Sequence, residues 1–270
     1  MSETPDEQMA AYAYGDDANA LDRLRLLARV FRPSSAALLR RLSTHQPRVI
    51  LDLGCGPGHT TRLLHERFPE AGTTVGLDAS ERFIAAAKGC QPPALRFEVQ
   101  DVSTVPLSRA PADLIYARLL LAHLRDATRL VADWSTQLGS GGLLVLEEIE
   151  DIQTEDALFQ AYLEVAAAPL VARGTDLFIG RALAHMAPVP GTTVAHCEIA
   201  LLRPRIGDVA AMFRLNLATL RHDKAVRSRY RDDELDAIAA TLAARSHADE
   251  TGAITWRIRQ LVLKRTSGDR

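Results

Sequence analysis

Between residues 48 and 148, short apolar runs alternate with longer stretches whose apolar residues recur every three or four positions. The runs "RVILDL" (48–53), "TTVGLD" (73–78), "ALRFEV" (94–99), "ADLIYA" (112–117) and "GLLVLEE" (142–148) are rich in β-branched residues. Continuous apolar runs of this length predict strands buried on both faces. Between them, "TTRLLHERF" (60–68), "SERFIAAAK" (80–88) and "RLLLAHLRDATRLVADWSTQL" (118–138) carry helical periodicity. The alternation predicts a parallel sheet wound with helices on both faces. The connection at 101–111 carries Pro106 and Pro111 and predicts at most a short helix.

The flanks read differently. The first ten residues predict a disordered tail. From Asn19 to Leu42, leucines and alanines recur at helical spacing, and Pro33-Ser34-Ser35 predicts a break into two helices;. Residues 152–187 are alanine-rich and helical in pattern, interrupted by Pro169 and "RGTDLFIG". "TTVAHCEIALLRP" (192–204) predicts a strand. The mixed charges of "RHDKAVRSRYRDDELDAIAATLAARS" (221–246) predict a solvated helical region, and "AITWRIRQLVLK" (253–264) closes with strand-like alternation. With no repeat and no long linker, the expected organisation is one structural unit. It comprises an N-terminal helical cap at 1–46 and a domain at 47–270 carrying a helical insertion near 152–187.

Composition narrows the class. Hydrophobic residues make up 47% of the 270, enough for a sizeable core, and the net charge is −2. That balance gives no electrostatic footprint for nucleic acid or an anionic membrane, so a small-molecule partner is expected. Cys55, Cys90 and Cys197 are scattered without metal-ligand spacing, which predicts no metal site and a reduced, cytoplasmic setting;. The opening "MSETPDEQMA" lacks a basic-then-apolar signal, and no apolar run nears 18 residues, so no membrane span is expected;.

The candidate chemistry begins at "VILDLGCGPG", where Gly54, Gly56 and Gly58 fall between a predicted strand and a predicted helix. Glycines permit unusual φ and let a ligand approach the backbone. A turn at the carboxyl edge of a parallel sheet is where doubly wound folds bind ligands, although a tight turn with nothing bound would read the same way. The pattern is G-x-G-x-G rather than the G-x-G-x-x-G of dinucleotide sites, and Asp52 precedes it;. A ligand without phosphate needs mainly room there, and an acid could help hold a positively charged one. Asp78, at the tip of the second strand, is placed to accept from two ribose hydroxyls, a device shared with NAD enzymes. Its alternative role is a helix N-cap, which Ser80 could fill instead. Asp101 at the third strand tip could accept from an adenine amino group while the N–H of Val102 donates to the ring. A plain turn aspartate is the alternative.

Taken in order, "VILDLGCGPG", "VGLDAS", "VQDVS", "ADLIYARLLLAHL" and "LGSGGLLVLEE" fall at five successive predicted strand ends, across Val49 to Glu148. The chain thereby resembles a class I S-adenosylmethionine-dependent methyltransferase of the small-molecule type. "GSGG" stands where that family usually has Pro-Gly-Gly, a difference confined to a turn. The resemblance implies an α/β, Rossmann-like, doubly wound seven-stranded sheet with an antiparallel last strand, the place of "AITWRIRQLVLK". It implies S-adenosyl-L-methionine as cofactor, its amino-acid portion over Gly54, Cys55, Gly56 and Gly58, with Asp52 and Arg118 near that end. Asp78, with Ala79 beside it, would bind the ribose, and Asp101 with Val102 would meet the adenine. Tyr14 would contact the cofactor from the N-terminal segment, and Arg23 would pair with the methionine carboxylate or stay a surface arginine.

Methyl transfer from a sulfonium needs alignment and exclusion of water more than a catalytic triad. A protein base is required only when the acceptor must lose a proton. His123, expected early in the helix after the fourth strand, is the candidate base or acceptor-orienting group, with His59 behind it; either could instead be a packed residue. Glu147 and Glu148 could orient an acceptor or lie open to solvent. The N-terminal helices and the 152–187 insertion should roof the acceptor pocket, with Phe178 and Ile179 as pocket wall or ordinary core. The reading is methyl transfer to a small molecule, as in secondary metabolism, with oxygen, nitrogen, sulfur and carbon acceptors all open. A nicotinamide-dependent oxidoreductase and a non-catalytic S-adenosylmethionine-binding regulator are the alternatives.

Overall fold

In the computed structural model, residues 18–89, 92–186 and 189–266 are described. The chain opens with helix α1 (Ala18–Arg41), then β1 (Val49–Leu53), α2 (His59–Arg67), β2 (Thr73–Asp78), α3 (Glu81–Ala87), β3 (Leu95–Val99) and β4 (Ala112–Arg118). A 3-10 turn at Leu121–His123 leads to α4 (Ala127–Thr136) and β5 (Leu138–Gln153). Next come α5 (Ala157–Ala172), α6 (Gly180–Ala184), β6 (Thr192–Leu202), α7 (Ile206–Leu220), α8 (Lys224–Arg227), α9 (Asp232–Arg245) and β7 (Thr255–Arg265). The seven strands form one sheet in the order β3-β2-β1-β4-β5-β7-β6. The pairings from β3 through β5 are parallel, while β7 runs antiparallel to both β5 and β6. The expected Rossmann-like sheet with an inserted antiparallel last strand is what forms.

Central strands are apolar throughout because both faces are covered. One face packs Leu51, Leu53, Leu144 and Leu146 against Leu130 and Trp134 of α4. The other packs Ile50, Leu114, Tyr116 and Val145 against Leu38 and Leu39 of α1 and Leu63 and Leu64 of α2. A separate cluster joins Phe31 of α1 to Phe159 and Tyr162 of α5, Phe213 of α7 and Trp256 of β7.

Three expectations give way. Pro33 lies inside α1, which stays one helix, because packing holds it on both sides: Phe31 in one cluster, Leu38 and Leu39 in another;. Pro169 likewise sits within the last turn of α5. The single helix predicted over 118–138 is instead a 3-10 turn and α4, because Leu119 (φ 54) and Asp126 (φ 58) adopt left-handed conformations that interrupt the winding;. Asp126 serves as N-cap, accepting from the Arg129 N–H;. The 101–111 connection contains no helix. The disorder predicted for the first ten residues concerns positions outside the described ones.

A buried polar knot ties α1 to the sheet below the carboxyl edge. Glu147 Oε2 accepts from Ser35 Oγ at 2.5 Å and Tyr116 Oη at 2.8 Å, and its Oε1 accepts from Gln260 Nε2 at 2.6 Å. Arg118 Nη1 donates to the same Ser35 Oγ at 3.0 Å. The donors come from α1, β4 and β7, so α1 is held in place over the strand tips;.

Candidate functional site

A cavity of about 1080 Å³ opens at the carboxyl edge of the sheet. Drug-sized ligands occupy pockets of roughly 300–1,000 Å³, so the space admits a large ligand together with a second, smaller one.

Its floor at one end is the turn after β1. Gly54, Gly56 and Gly58 all have positive φ (62°, 52° and 82°), a conformation that side chains resist;. Their surroundings differ. A Cβ on Gly54 would lie 2.6 Å from Leu120 Cδ1, and one on Gly58 would lie 2.5 Å from the Phe97 ring. At Gly56 the nearest neighbour is Leu24 Cδ1 at 3.5 Å, and this glycine faces the cavity. Handedness and the protein's own side chains therefore explain two of the glycines, and Gly56 is the one left bare for a ligand. Gly54, Cys55 and Gly56 line the cavity, while Gly58 lies outside its wall at the start of α2.

Asp52 is also out of the wall. Its Oδ2 accepts from Thr60 Oγ1 and Thr61 Oγ1, both at 2.6 Å, which braces the turn against α2. Burial pushes its carboxyl up to about 6, against the pull of the two hydroxyls and Arg118;. Asp78 does face the cavity, with Oδ2 accepting from the Gly56 N–H and Oδ1 from the Ser80 N–H, each at 2.8 Å. Ser80, not Asp78, caps α3 by accepting from the Phe83 N–H. An ionised carboxylate has about four lone-pair sites, so acceptor capacity remains on Asp78. Ala79 lies exposed beside it. Asp101 and Val102 line the same end; Asp101 accepts from the Ser103 N–H, and the Val102 carbonyl accepts from Trp134 Nε1 at 2.8 Å.

These contacts discriminate between ligands. The Gly56 N–H is committed to Asp78 and the Gly58 N–H to the Cys55 carbonyl, so two donors that a pyrophosphate would need are already used;. A ligand with a ribose and no phosphate fits the donor and acceptor set better.

Arg118 is the last residue of β4, and its guanidinium reaches toward α1, over the Phe31 ring. Arg23 is buried on α1 at 3% exposure, and its Nη1 donates to Asn216 Oδ1 on α7 at 3.2 Å. Asn216 Nδ2 in turn donates to Tyr162 Oη at 2.7 Å. Tyr14 lies outside the described residues. His123 sits in the 3-10 turn rather than on a helix and lines the cavity. Burial, helped by Arg23 and Arg173, pushes its imidazole down to about 3, so the ring is neutral at physiological pH;. His59 also lines the cavity, its imidazole lowered by burial and then by Arg62 and Arg118.

The far end is a chamber that sequence reading located only in part. Leu27 and Phe31 of α1 and Tyr162, Leu163 and Ala166 of α5 line it, as expected of the roof. Met212, Phe213 and Asn216 of α7 and Trp256 of β7 complete the wall and were missed. The apolar spacing of "VAAMFRLNLATL" was the available signal, eclipsed by the charge run that follows it. Leu177 lines the chamber; Phe178 and Ile179 do not, Ile179 packing on the core beneath β5. Glu147 and Glu148 are both buried, at 0% and 1% exposure, because β5 runs on past them to Gln153 beneath the helices. Among the described residues no cluster of His, Cys, Asp or Glu could hold a metal ion, and no helix is long and apolar enough to cross a membrane.

Residues 50–142 match a family described as a methyltransferase domain. A trans-aconitate 2-methyltransferase of Methylobacterium radiotolerans is 40% identical over 116 residues, 43% of this chain and 43% of that protein. One from Delftia acidovorans is 36% identical over 156 residues, 57% of this chain and 56% of its own length. The chain spans about half the length of the curated relatives it matches. Among solved structures, a candidate methyltransferase of Bacillus halodurans C-125 superposes with a TM-score of 0.56 at 13% identity. The superposition covers 87% of this chain and 100% of that one, a likeness of fold. The glycine turn, the strand-tip aspartates and the parallel strands that carry them fall within the stretch that matches a methyltransferase domain, and the inserted β7 completes a sheet of that kind.

Proposed function

We propose that this protein transfers a methyl group from S-adenosylmethionine to a small-molecule acceptor. The observation that carries the reading is one continuous cavity: Gly56, Asp78 and Asp101 stand at one end and an apolar chamber at the other. When bound, S-adenosylmethionine supplies a methyl group on a sulfonium, already activated for displacement. Asp78 accepts from the ribose hydroxyls with Ala79 alongside, and Asp101 with Val102 receives the adenine. Gly54, Cys55 and Gly56 lie under the amino-acid portion, with Arg118 and Arg23 as the nearby cations. Asp52 and Gly58 act at one remove, by holding the turn.

His123 acts as a neutral hydrogen-bonding group that orients the acceptor. A proton taken there would create a buried imidazolium beside Arg23 and Arg173, which the lowered value opposes. Helix α1 and the described part of the 152–187 insertion form the cover over the domain that begins at 47. The free thiols of Cys55 and Cys197 suit a reducing, cytoplasmic setting;. Trans-aconitate, named for the relatives, is the first acceptor to assay.

Thermal unfolding with S-adenosylmethionine, S-adenosylhomocysteine, NAD and NADP tests the cofactor. A ligand at about 100 times its Kd adds roughly 2.7 kcal/mol. At this chain length that corresponds to a midpoint rise of roughly 5–10 °C. The rise is expected with the two adenosyl compounds alone; a rise with NAD or NADP instead would overturn the reading.

A further inference from the structure

Glu148 is the last residue in the buried run of β5, and its position follows from strand register. Leu53 at the end of β1 pairs with Ala117, Ala117 pairs with Leu146, and Arg118 pairs with Glu147. Glu148 therefore lies just beyond the β4 tip and two strand spacings, about 10 Å, from the glycine turn. That displacement takes it out of the cofactor's end and into the wall of the chamber.

Its two oxygens are treated differently. Oε1 accepts from the Leu120 and Leu121 N–H groups, both at 2.8 Å, clamping the turn that leaves β4. The turn passes through Leu119 in a left-handed conformation (φ 54), and the Leu119 N–H donates to the Glu147 carbonyl. A non-glycine residue held this way is a strained feature that surrounding structure must impose. Oε2 is buried and has no hydrogen-bond partner among the described residues. On β7, Trp256 also lines the chamber, and its Nε1 is buried without a partner among the described residues. Buried polar atoms in native proteins are nearly always satisfied, so the unmet Glu148 Oε2 in a cavity wall calls for a ligand group that meets it;.

The rest of the wall at this end is mostly apolar or aromatic, with Arg23, His123 and Asn216 as its polar members. Trp256 stacks on Phe31 at 5.0 Å between centroids, and Tyr162 stacks on Phe213 at 3.8 Å. Met212 and Leu163 fill the remaining wall. We infer that the acceptor is a neutral, ring-bearing molecule with a phenolic or enolic hydroxyl, which donates to Glu148 Oε2 while the rings lie among Phe31, Phe213 and Trp256. The inference rests on the methyl-transfer reading and names its substrate class.

The chemistry balances without a further reagent. The acceptor oxygen's lone pair forms the new bond to the methyl carbon, the carbon–sulfur pair stays on sulfur, and the hydroxyl proton passes to Glu148 Oε2. Burial raises the Glu148 carboxyl to about 8, opposed by the Leu121 and Leu120 N–H donors and reinforced by Glu147. Such a carboxylate is a stronger base than an ordinary glutamate and better matched to a phenol. The charged and titratable groups around it are Glu147 and Glu150 on its own strand, Arg259 opposite on β7 and engaged with Glu150, Arg118 at the β4 tip, His123 in the 3-10 turn and Arg23 on α1.

Calorimetric titration of the protein with S-adenosylhomocysteine comes first, followed by titration of the saturated complex with trans-aconitate and with one-, two- and three-ring phenols. At least one phenol is expected to bind tenfold or more tighter than trans-aconitate, and its methyl ether to bind more weakly than the phenol. Methyl transfer to that phenol should rise with pH to a plateau above about 8. Glu148→Gln should keep its S-adenosylhomocysteine affinity, lower kcat at least 100-fold and lose the pH dependence. Tighter binding of trans-aconitate than of every phenol, or a Glu148→Gln variant with wild-type kcat and pH profile, overturns the acceptor assignment alone. Failure to bind S-adenosylhomocysteine overturns the methyl-transfer reading and this assignment with it.

Discussion

The two ends of the cavity are made in contrasting ways. At the cofactor end, the strand-tip aspartates brace the turns around them: Asp78 accepts from Gly56 and Ser80, Asp52 from Thr60 and Thr61, and Asp101 from Ser103. At the chamber end, aromatic faces from α1, α5, α7 and β7 meet, and the polar bonds that cross it join residues far apart in sequence, such as Arg23 to Asn216. The first kind of construction fixes a shape that suits one ligand. The second fixes a volume and leaves the ligand's details to whichever side chains line it.

That contrast predicts separable responses. Phe213→Ala should produce the largest one, because this ring packs on Tyr162 and Phe159 in the chamber-side core. Burial of this kind is worth about 3–5 kcal/mol on truncation. Urea denaturation should show that loss, while the folded fraction keeps its S-adenosylhomocysteine affinity; a parallel loss of cofactor affinity would mean the two ends are not separable.

Glu148 gives a pH-dependent response of the next size. An unfolded glutamate loses its proton near pH 4.5, whereas the folded one keeps it until about 8. Native stability therefore declines as pH rises through that window and levels off above it. Glu148→Gln lacks the decline, so its stability relative to the wild type should improve by about 3 kcal/mol from pH 5 to pH 8. Denaturation curves at the two pH values that shift in parallel for both proteins would refute the buried, raised carboxyl.

Asp78→Ala should weaken S-adenosylhomocysteine binding by about 1.5–3 kcal/mol, the range for hydrogen bonds to a charged group, without altering phenol binding by the folded protein. Calorimetry showing unchanged cofactor affinity would detach Asp78 from the ribose. The smallest effect on stability, about 1 kcal/mol, is expected for Gly56→Ala, whose left-handed φ carries the cost while Leu24 leaves room for the methyl group;. Its cofactor affinity should nonetheless fall, since that methyl projects into the cavity. In Gly58→Ala, where Phe97 blocks the new atom, the loss should be mainly of stability;.

The same contrast explains what was legible in the sequence. The strand-forming runs, the glycine turn and the strand-tip aspartates are marked by neighbours a few residues away, so a linear reading finds them. Ser80 as the α3 cap is of that kind. The chamber depends on tertiary approach. Nothing local to Met212, Phe213 or Trp256 says that they face one another across a cavity, and nothing local to Glu147 says that Ser35, Tyr116 and Gln260 will surround it. Pro33 inside α1 and the left-handed Leu119 are further cases where packing overrode a local preference. All three glycines hold positive φ, and a Cβ would also meet Leu120 at Gly54 and Phe97 at Gly58, neighbours that the linear sequence does not reveal.

The insertion of β7 between β5 and β6 also sets an order of events on the ribosome. Strands β1 to β5 and their helices can assemble in sequence as they emerge, with the glycine turn already in place. Within the sheet β6 pairs with β7 alone, so it must wait until β7 is synthesised, and Trp256 arrives with that strand. A nascent chain would thus complete its parallel strands and glycine turn first and the aromatic wall of the chamber last.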